Sequence, residues 1–451
     1  MANIVFCFPP LTSTLNSSFG LAKTLQLAGH NIFYLGIEDC KCLVAENGFD
    51  FVTVYTDWFA KGWLENCYLK ARYGDDHEHS EAKKIAKNFQ KFIEYLIAGG
   101  DGEVRAAVEK IQADLVFIST SGLDSIIWAL LMHKFKIKFI YLFDVLGGSA
   151  THTVPPIHSG LIPSQSRFSA WANACSWQWF RVEKVLLEYY FAWSGIDLMP
   201  VSMLKRMASY CAYPYENIQL LTDMPCPQLN IQEIVLWPKE FEFSSENRPG
   251  RYYVESAIDL NRKQALFPWE KVDEDRPTVY TAFGTLPVLN SDDAKRFFKI
   301  VIDASEKWPD WNWIISIGNN LSVDEFDSVP RNVFIVNRAP QLDILRKSIL
   351  MITHGGANSI KECLLLGVPI IVFPLVFDEF GNAARVEYHG LGVRGCIKSI
   401  TASKLQDMVE RVTKESCFNE NVRKMQSLFS EAEKDKPSIK VIESILADIC
   451  S

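Results

Sequence analysis

The residues of this chain whose types and spacing could do chemistry lie between Asn337 and Arg394. An apolar run, Leu350 to Thr353, breaks into His354-Gly355-Gly356-Ala357-Asn358-Ser359 before a helical pattern begins. Glycines at the carboxyl end of a strand that opens a helix let backbone N–H groups approach an anion at the positive helix terminus. His354 beside them adds a donor for a phosphate oxygen. Phe283-Gly284-Thr285 is a second loop of this kind, again directly after a strand-like run. Ser359 and Glu362 have the spacing of a helix capping box as well as that of a ligand pair. Gly367-Val368-Pro369 then ends the helix, Ile370 to Phe373 reads as a strand stopped by Pro374, and Asp378-Glu379 and Gly381-Asn382 follow. Two adjacent carboxylates at the mouth of a sheet can accept hydrogen bonds from sugar hydroxyls, whereas in isolation they are a solvated loop pair.

Such loops need a sheet behind them, and the chain supplies two. Asn3 to Phe8 is a β-rich run stopped by Pro9-Pro10, with a polar loop expected through Ser17. A helix from Ser18 to Ala28 carries Phe19, Ala22, Leu25 and Ala28 on one stripe, Gly29 closes it, and Asn31 to Leu35 is the next strand. This βαβ unit implies a parallel sheet, but no G-x-G-x-x-G occupies its first turn. Leu115 to Ser119 and Phe139 to Phe143 read as further strands. Strand–helix alternation restarts at Thr278 to Phe283 and continues through Asp292 to Glu306, Trp311 to Ile317 and Val333 to Val336. The spacing therefore predicts an α/β chain of two Rossmann-like domains, 1–236 and 277–430, joined by an irregular, proline-containing linker over 237–276. Their carboxyl-end loops face each other across a cleft. Residues 165–193, with Phe168, Trp171, Trp177, Trp179 and Trp193, read as a helical pair packing on its own domain or as one wall of an apolar pocket. Trp58, Phe59, Trp63 and Tyr68 are candidates for the same wall.

At 451 residues, 48% hydrophobic and 22% charged, the composition is globular and suits two domains. A net charge of −8 speaks against nucleic acid as a partner. No uncharged apolar stretch approaches the ~20 residues of a transmembrane helix. Eleven scattered cysteines without a C-x-x-C pair read as reduced thiols, which points to a cytoplasmic protein, and no cluster has metal-ligand spacing.

The ordered set Arg338-Ala339-Pro340-Gln341, Thr353-His354-Gly355-Gly356-x-Asn358-Ser359-x-x-Glu362, Gly367-Val368-Pro369, Pro374, Asp378 and Asn382 resembles the donor-binding signature of family 1 nucleotide-sugar glycosyltransferases. These are the UDP-glucuronosyl- and UDP-glucosyltransferases, and the bacterial macrolide and zeaxanthin enzymes are the nearest branch. The resemblance implies a GT-B fold, with a C-terminal helix over 431–451 that crosses back to the first domain. It implies inverting transfer of a hexose from a nucleoside diphosphate sugar, most simply a UDP-sugar, to a small apolar or aromatic acceptor of secondary metabolism. No metal or other cofactor is implied. The alternative is a catalytically impaired homologue that binds donor and serves as a binding or partner protein.

By the same resemblance, His354, Gly356, Ala357 and the backbone around Asn358-Ser359 hold the diphosphate, with Gly284 and Thr285 facing them. Glu362 accepts from the ribose, Ala339 and Gln341 meet the base and ribose, and Asp378 and Glu379 fix the transferred sugar. Arg338 stands where relatives carry a tryptophan that stacks on the base, and a guanidinium plane can stack there too. Glu379 stands where a glutamine is usual. The family's catalytic histidine falls on Thr14, and its aspartate partner near Ser119 or Thr120. A threonine hydroxyl cannot take a proton from another alcohol at neutral pH. Three outcomes follow: an acceptor already acidic, such as a phenol or carboxylate, that needs little help; donor binding without transfer; or, as favoured here, a base elsewhere in the cleft, with Asp144 first because it follows the Phe139 to Phe143 strand directly, then His152, His158 or Asp124.

Overall fold

Short, continuously apolar strands bury both faces only in parallel sheets covered by helices. The computed structural model describes residues 1–64, 79–122, 124–151, 153–163, 167–243, 248–284, 291–327 and 329–450, and among them two such sheets form. The first is built from β1 (Asn3–Cys7), β2 (Asn31–Gly36), β3 (Asp50–Thr53), β4 (Leu115–Ser119) and β5 (Phe139–Phe143). After a small antiparallel pair, β6 (Ile218–Gln219) with β7 (Gln228–Leu229), it is completed by β8 (Glu233–Val235) and β9 (Arg251–Tyr253). Its order is β3-β2-β1-β4-β5-β8-β9, parallel throughout.

The second sheet comprises β10 (Thr278–Ala282), β11 (Asn312–Ser316), β12 (Val333–Val336), β13 (Ser348–Thr353), β14 (Ile370–Val372) and β15 (Gly392–Arg394). It runs β12-β11-β10-β13-β14-β15, also parallel. Strand order reverses between β1 and β4 in one sheet and between β10 and β13 in the other. Each reversal opens a crevice at the carboxyl ends, and the loops singled out in the sequence leave from these strands.

Three local expectations change. The first helix spans Thr12–Leu27, so Thr14 sits in its first turn and not in a loop. Thr14, Leu15, Ser17 and Ser18 are all buried there, and burial outweighs the weak helix preference of threonine and serine. Part of the expected linker belongs to the first domain, since Arg251–Tyr253 pairs with β8 at the sheet edge. Residues 167–194 form one long helix, not a pair. Among its described side chains only Asn173, Trp177 and Ser194 are buried, while Trp171, Trp179, Tyr189 and Trp193 face solvent.

The last helix, Pro437–Cys450, packs Ile442 and Ile445 into the first domain's core beside Ile4, Phe6 and Tyr34. Glu255 holds its start, accepting from Ser438 N at 3.0 Å and Ser438 Oγ at 2.5 Å. A second tie joins Glu242 to Arg385 at 2.6 Å, the two side chains 4% and 1% exposed. Phe243 lies 4.4 Å under the guanidinium.

Candidate donor and acceptor site

On the second sheet, β13 delivers His354 between two glycines that nothing larger could replace. A Cβ on Gly284, which sits at φ +73°, would come 2.7 Å from His354 Cε1, and one on Gly356 would come 2.6 Å from His354 Nε2. Gly356 is the N-cap of the Ala357–Leu366 helix and makes no side-chain cap bond. The helix terminus thus presents bare N–H groups toward the crevice. Burial pushes the His354 imidazole down to about 4, against a hydrogen bond to the Ala282 backbone, so the ring is neutral at pH 7. Asn358 Nδ2 donates to the Ser13 carbonyl at 2.8 Å, tying this terminus to the opposite domain. Thr285 lies outside the described residues.

Glu362 is 1% exposed and does not close a capping box. Its Oε2 accepts from Gln341 Nε2 at 2.8 Å, and its Oε1 meets Arg262 Nη1 at 2.8 Å. Gln341 also lies 3.3 Å from Ser359 Oγ, which gathers three of the expected ribose and base residues at one point. Ala339 is half-buried beside them, while Arg338 is exposed at the end of β12. Arg262 was not anticipated, because nothing in the pattern of the linker marks one arginine among its mixed charges.

Asp378 and Glu379 open the Asp378–Tyr388 helix and are not loop residues. The preceding Phe377 is held at φ +47°, a conformation costly for a bulky side chain and common where a site fixes its backbone. Asp378 accepts from Asn382 Nδ2 at 2.8 Å, and burial together with Asp144 pushes its carboxyl up to about 7. Glu379 has a different task. Its Oε2 accepts from Leu375 N at 2.7 Å and Val376 N at 2.9 Å, and its Oε1 lies 3.8 Å from His354 Nε2. It braces the loop before its helix, a role that the adjacency of two carboxylates does not reveal.

Burial, then Asp378, raises the Glu379 carboxyl from 4.5 to about 8. A group whose pKa is raised on folding stabilises the fold fully below its unfolded value and loses that contribution as pH climbs through the folded value. Between pH 5 and 9 the wild type should therefore lose stability of the order of a few kcal/mol from this group. Glu379→Gln should flatten the decline, as read from urea midpoints at each pH; parallel wild-type and variant curves would refute the assignment.

On the facing sheet, β5 delivers Asp144, 7% exposed. Ser121 Oγ donates to its Oδ1 at 2.6 Å, Ser17 stands nearby with its hydroxyl donating to the Thr14 carbonyl, and burial raises the Asp144 pKa. Its backbone carbonyl accepts from Trp237 Nε1 at 2.8 Å and from Lys361 Nζ at 3.1 Å. Lys361 comes from the donor-side helix, lies 4.7 Å above the Trp237 ring and is pushed down to about 8 by burial. The charge of Asp144 helps to raise the Asp378 carboxyl, and Lys361 offsets the shift at both. The structure thus brings Asp144 to the helix that carries Thr14 and to the carboxylate expected at the transferred sugar.

Ser119 is buried, and its Oγ accepts from Ser121 N at 3.3 Å, one step behind Asp144. His152 lies outside the described residues. His158 packs 4.4 Å from the Phe180 ring, where burial lowers its pKa. Lys361 was missed, although a lysine that helical period places on the buried face of Ile360–Leu366 is a readable signal.

Beside Asp144, at the β1/β4 reversal, opens an apolar pocket. Its lining includes Phe8, Phe59, Trp63, Phe92 and Trp128, and Ser121 stands on its wall. Among the described residues the long Arg167–Ser194 helix contributes none to that lining, whereas Phe59 and Trp63 of the expected aromatic wall do; Tyr68 lies outside the described residues.

This is the GT-B arrangement. A solved glycosyltransferase of kitacinnamycin shares it with a TM-score of 0.65 at 17% identity, over 99% of both chains. Residues 320–441 match the family described as UDP-glucoronosyl and UDP-glucosyl transferase. The matched family and the curated relatives are family 1 glycosyltransferases, which this chain resembles. It is 31% identical to the NDP-glycosyltransferase YjiC of Bacillus subtilis over 44% of this chain and 49% of that one. The chain thus spans about half the length of that relative. It is 24% identical to a demethyllactenocin mycarosyltransferase of Streptomyces fradiae over 99% of this chain and 87% of that one.

Proposed function

We propose that the protein is an inverting glycosyltransferase that moves a hexose from a UDP-sugar to a small apolar or aromatic acceptor, with Asp144 as general base. The observation that carries this reading is the position of Asp144, which touches the acceptor pocket through Ser121 and faces Asp378 of the donor domain. An acceptor hydroxyl seated in the pocket gives its proton to Asp144. Its oxygen forms a bond to the anomeric carbon, and the bond from that carbon to the diphosphate breaks on the opposite face. The departing negative charge is met by the N–H groups at the start of the Ala357–Leu366 helix. Asn382 Oδ1, buried and without a partner among the described residues, and the Asp378 carboxyl are free to accept from sugar hydroxyls. Glu362, Gln341 and Ser359 converge where the ribose would lie.

Donor binding is tested by thermal shift. A ligand at 100 times its dissociation constant stabilises the fold by ~2.7 kcal/mol, which raises Tm measurably. UDP should give that rise, and His354→Ala should remove most of it. No rise with millimolar UDP or thymidine diphosphate would refute the donor assignment. A rise without release of UDP from UDP-sugar and acceptor would favour a binding protein over an enzyme.

A further inference from the structure

The acceptor pocket contains a carboxylate that sugar transfer does not use. Asp124 lines it together with Tyr55, Phe59, Phe92 and Trp128. Asp124 occupies the N-cap position of the Ser125–Phe135 helix, where an aspartate ordinarily caps, yet its side chain makes no cap bond. Instead its Oδ2 accepts from Trp128 Nε1 at 2.7 Å. Its Oδ1 lies over Gly122, where a Cβ would collide with it, so the glycine leaves room for the carboxylate. Its backbone conformation, φ −92° and ψ −5°, is ordinary, so no strain explains the choice of residue.

A carboxylate in apolar surroundings is costly unless a cation or several donors meet it. Asp124 has one indole donor, and no lysine or arginine pairs with it among the described residues. Burial raises its pKa, with Trp128 opposing, and its charge is also felt by the buried thiols of Cys7 and Cys40. The fold therefore places a carboxyl group with no cation beside it inside a pocket walled by aromatic rings, where a bound cation would favour its charged form. Aromatic rings and a carboxylate together attract an organic cation: the rings through their negative faces, the carboxylate through its charge.

We infer that the pocket selects an acceptor bearing a positively charged nitrogen on an apolar body, anchored by Asp124. This deepens the acceptor-site reading and rests on it. Asp124 is a specificity residue, separate from the base at Asp144.

The test uses a matched pair of probes at pH 7, 4-phenylbutylammonium and the uncharged 4-phenylbutan-1-ol, titrated calorimetrically into the full chain. The ammonium should bind at least roughly tenfold more tightly. Asp124→Asn should erase that preference while keeping affinity for the alcohol. Equal binding of the two probes by wild type, or a preference that survives in Asp124→Asn, would overturn the inference and leave the acceptor pocket standing. Failure of both probes to bind at millimolar concentration would overturn the pocket reading with it. If Asp124→Asn does not fold, Gly122→Ala, which displaces the carboxylate without removing it, decides by the same comparison.

Discussion

Asp144→Asn is expected to lower turnover by roughly 10²–10⁴-fold, the range lost when a general base is removed from an alcohol acceptor. Asparagine keeps the size of the side chain and can still accept from Ser121, so packing and the Tm rise given by UDP should stay as they are. The loss should fall on kcat, measured as UDP release from a UDP-sugar with a panel of phenols and alcohols. Thr14→Ala and His152→Ala are the comparison variants. Thr14 is buried in the first turn of its helix and holds no group able to take a proton at neutral pH. A collapse of turnover in Thr14→Ala with Asp144→Asn unaffected would return the active centre to the first helix.

The second large effect concerns stability. Arg385→Ala should destabilise the fold by about 3–5 kcal/mol, because it leaves Glu242 charged, buried and unpaired. Arg385 also donates to the Gly381 carbonyl at 3.0 Å within its own helix, so the same change loosens the turn behind Asp378. Removing both charges with residues of similar volume, Glu242→Gln with Arg385→Met, should recover most of the loss, since a well-packed neutral pair avoids the desolvation of two ions. Urea midpoints of the three variants make the comparison. A cost below about 1 kcal/mol for Arg385→Ala would mean that the pair behaves as a solvated one.

Much of the candidate site on the second sheet was legible in the sequence because it is local. His354, Gly356, Ser359 and Glu362 fall within nine consecutive residues, and the turn from strand to helix fixes their relative positions. The crevice loops could be named for the same reason: strand, glycine, helix is written in order along the chain. What escaped was contact over long sequence separation. Arg262 reaches Glu362, Lys361 reaches the Asp144 carbonyl, and Ser121 reaches the Asp144 carboxylate. No periodicity encodes such meetings, because they depend on how two domains dock. Around Thr14 a run of threonine, serine and asparagine resembles a loop locally. Burial against the first sheet made it helix. The aromatic helix erred in the opposite sense: its composition suggested burial, whereas most of its rings lie at the surface.

The crossing of the last helix bears on the order in which the molecule is made. The inner face of the first sheet is formed early in synthesis, but Ile442 and Ile445, which cover part of it, leave the ribosome only after the whole second domain. Domains usually fold in the order they are synthesised. Here the earlier domain carries exposed apolar surface around Ile4, Phe6 and Tyr34 until the Pro437–Cys450 helix has been made, and the later domain folds while its neighbour is still unfinished. The two halves thus mature together, and the interval before the final helix arrives is when the nascent chain is most open to aggregation and to chaperones.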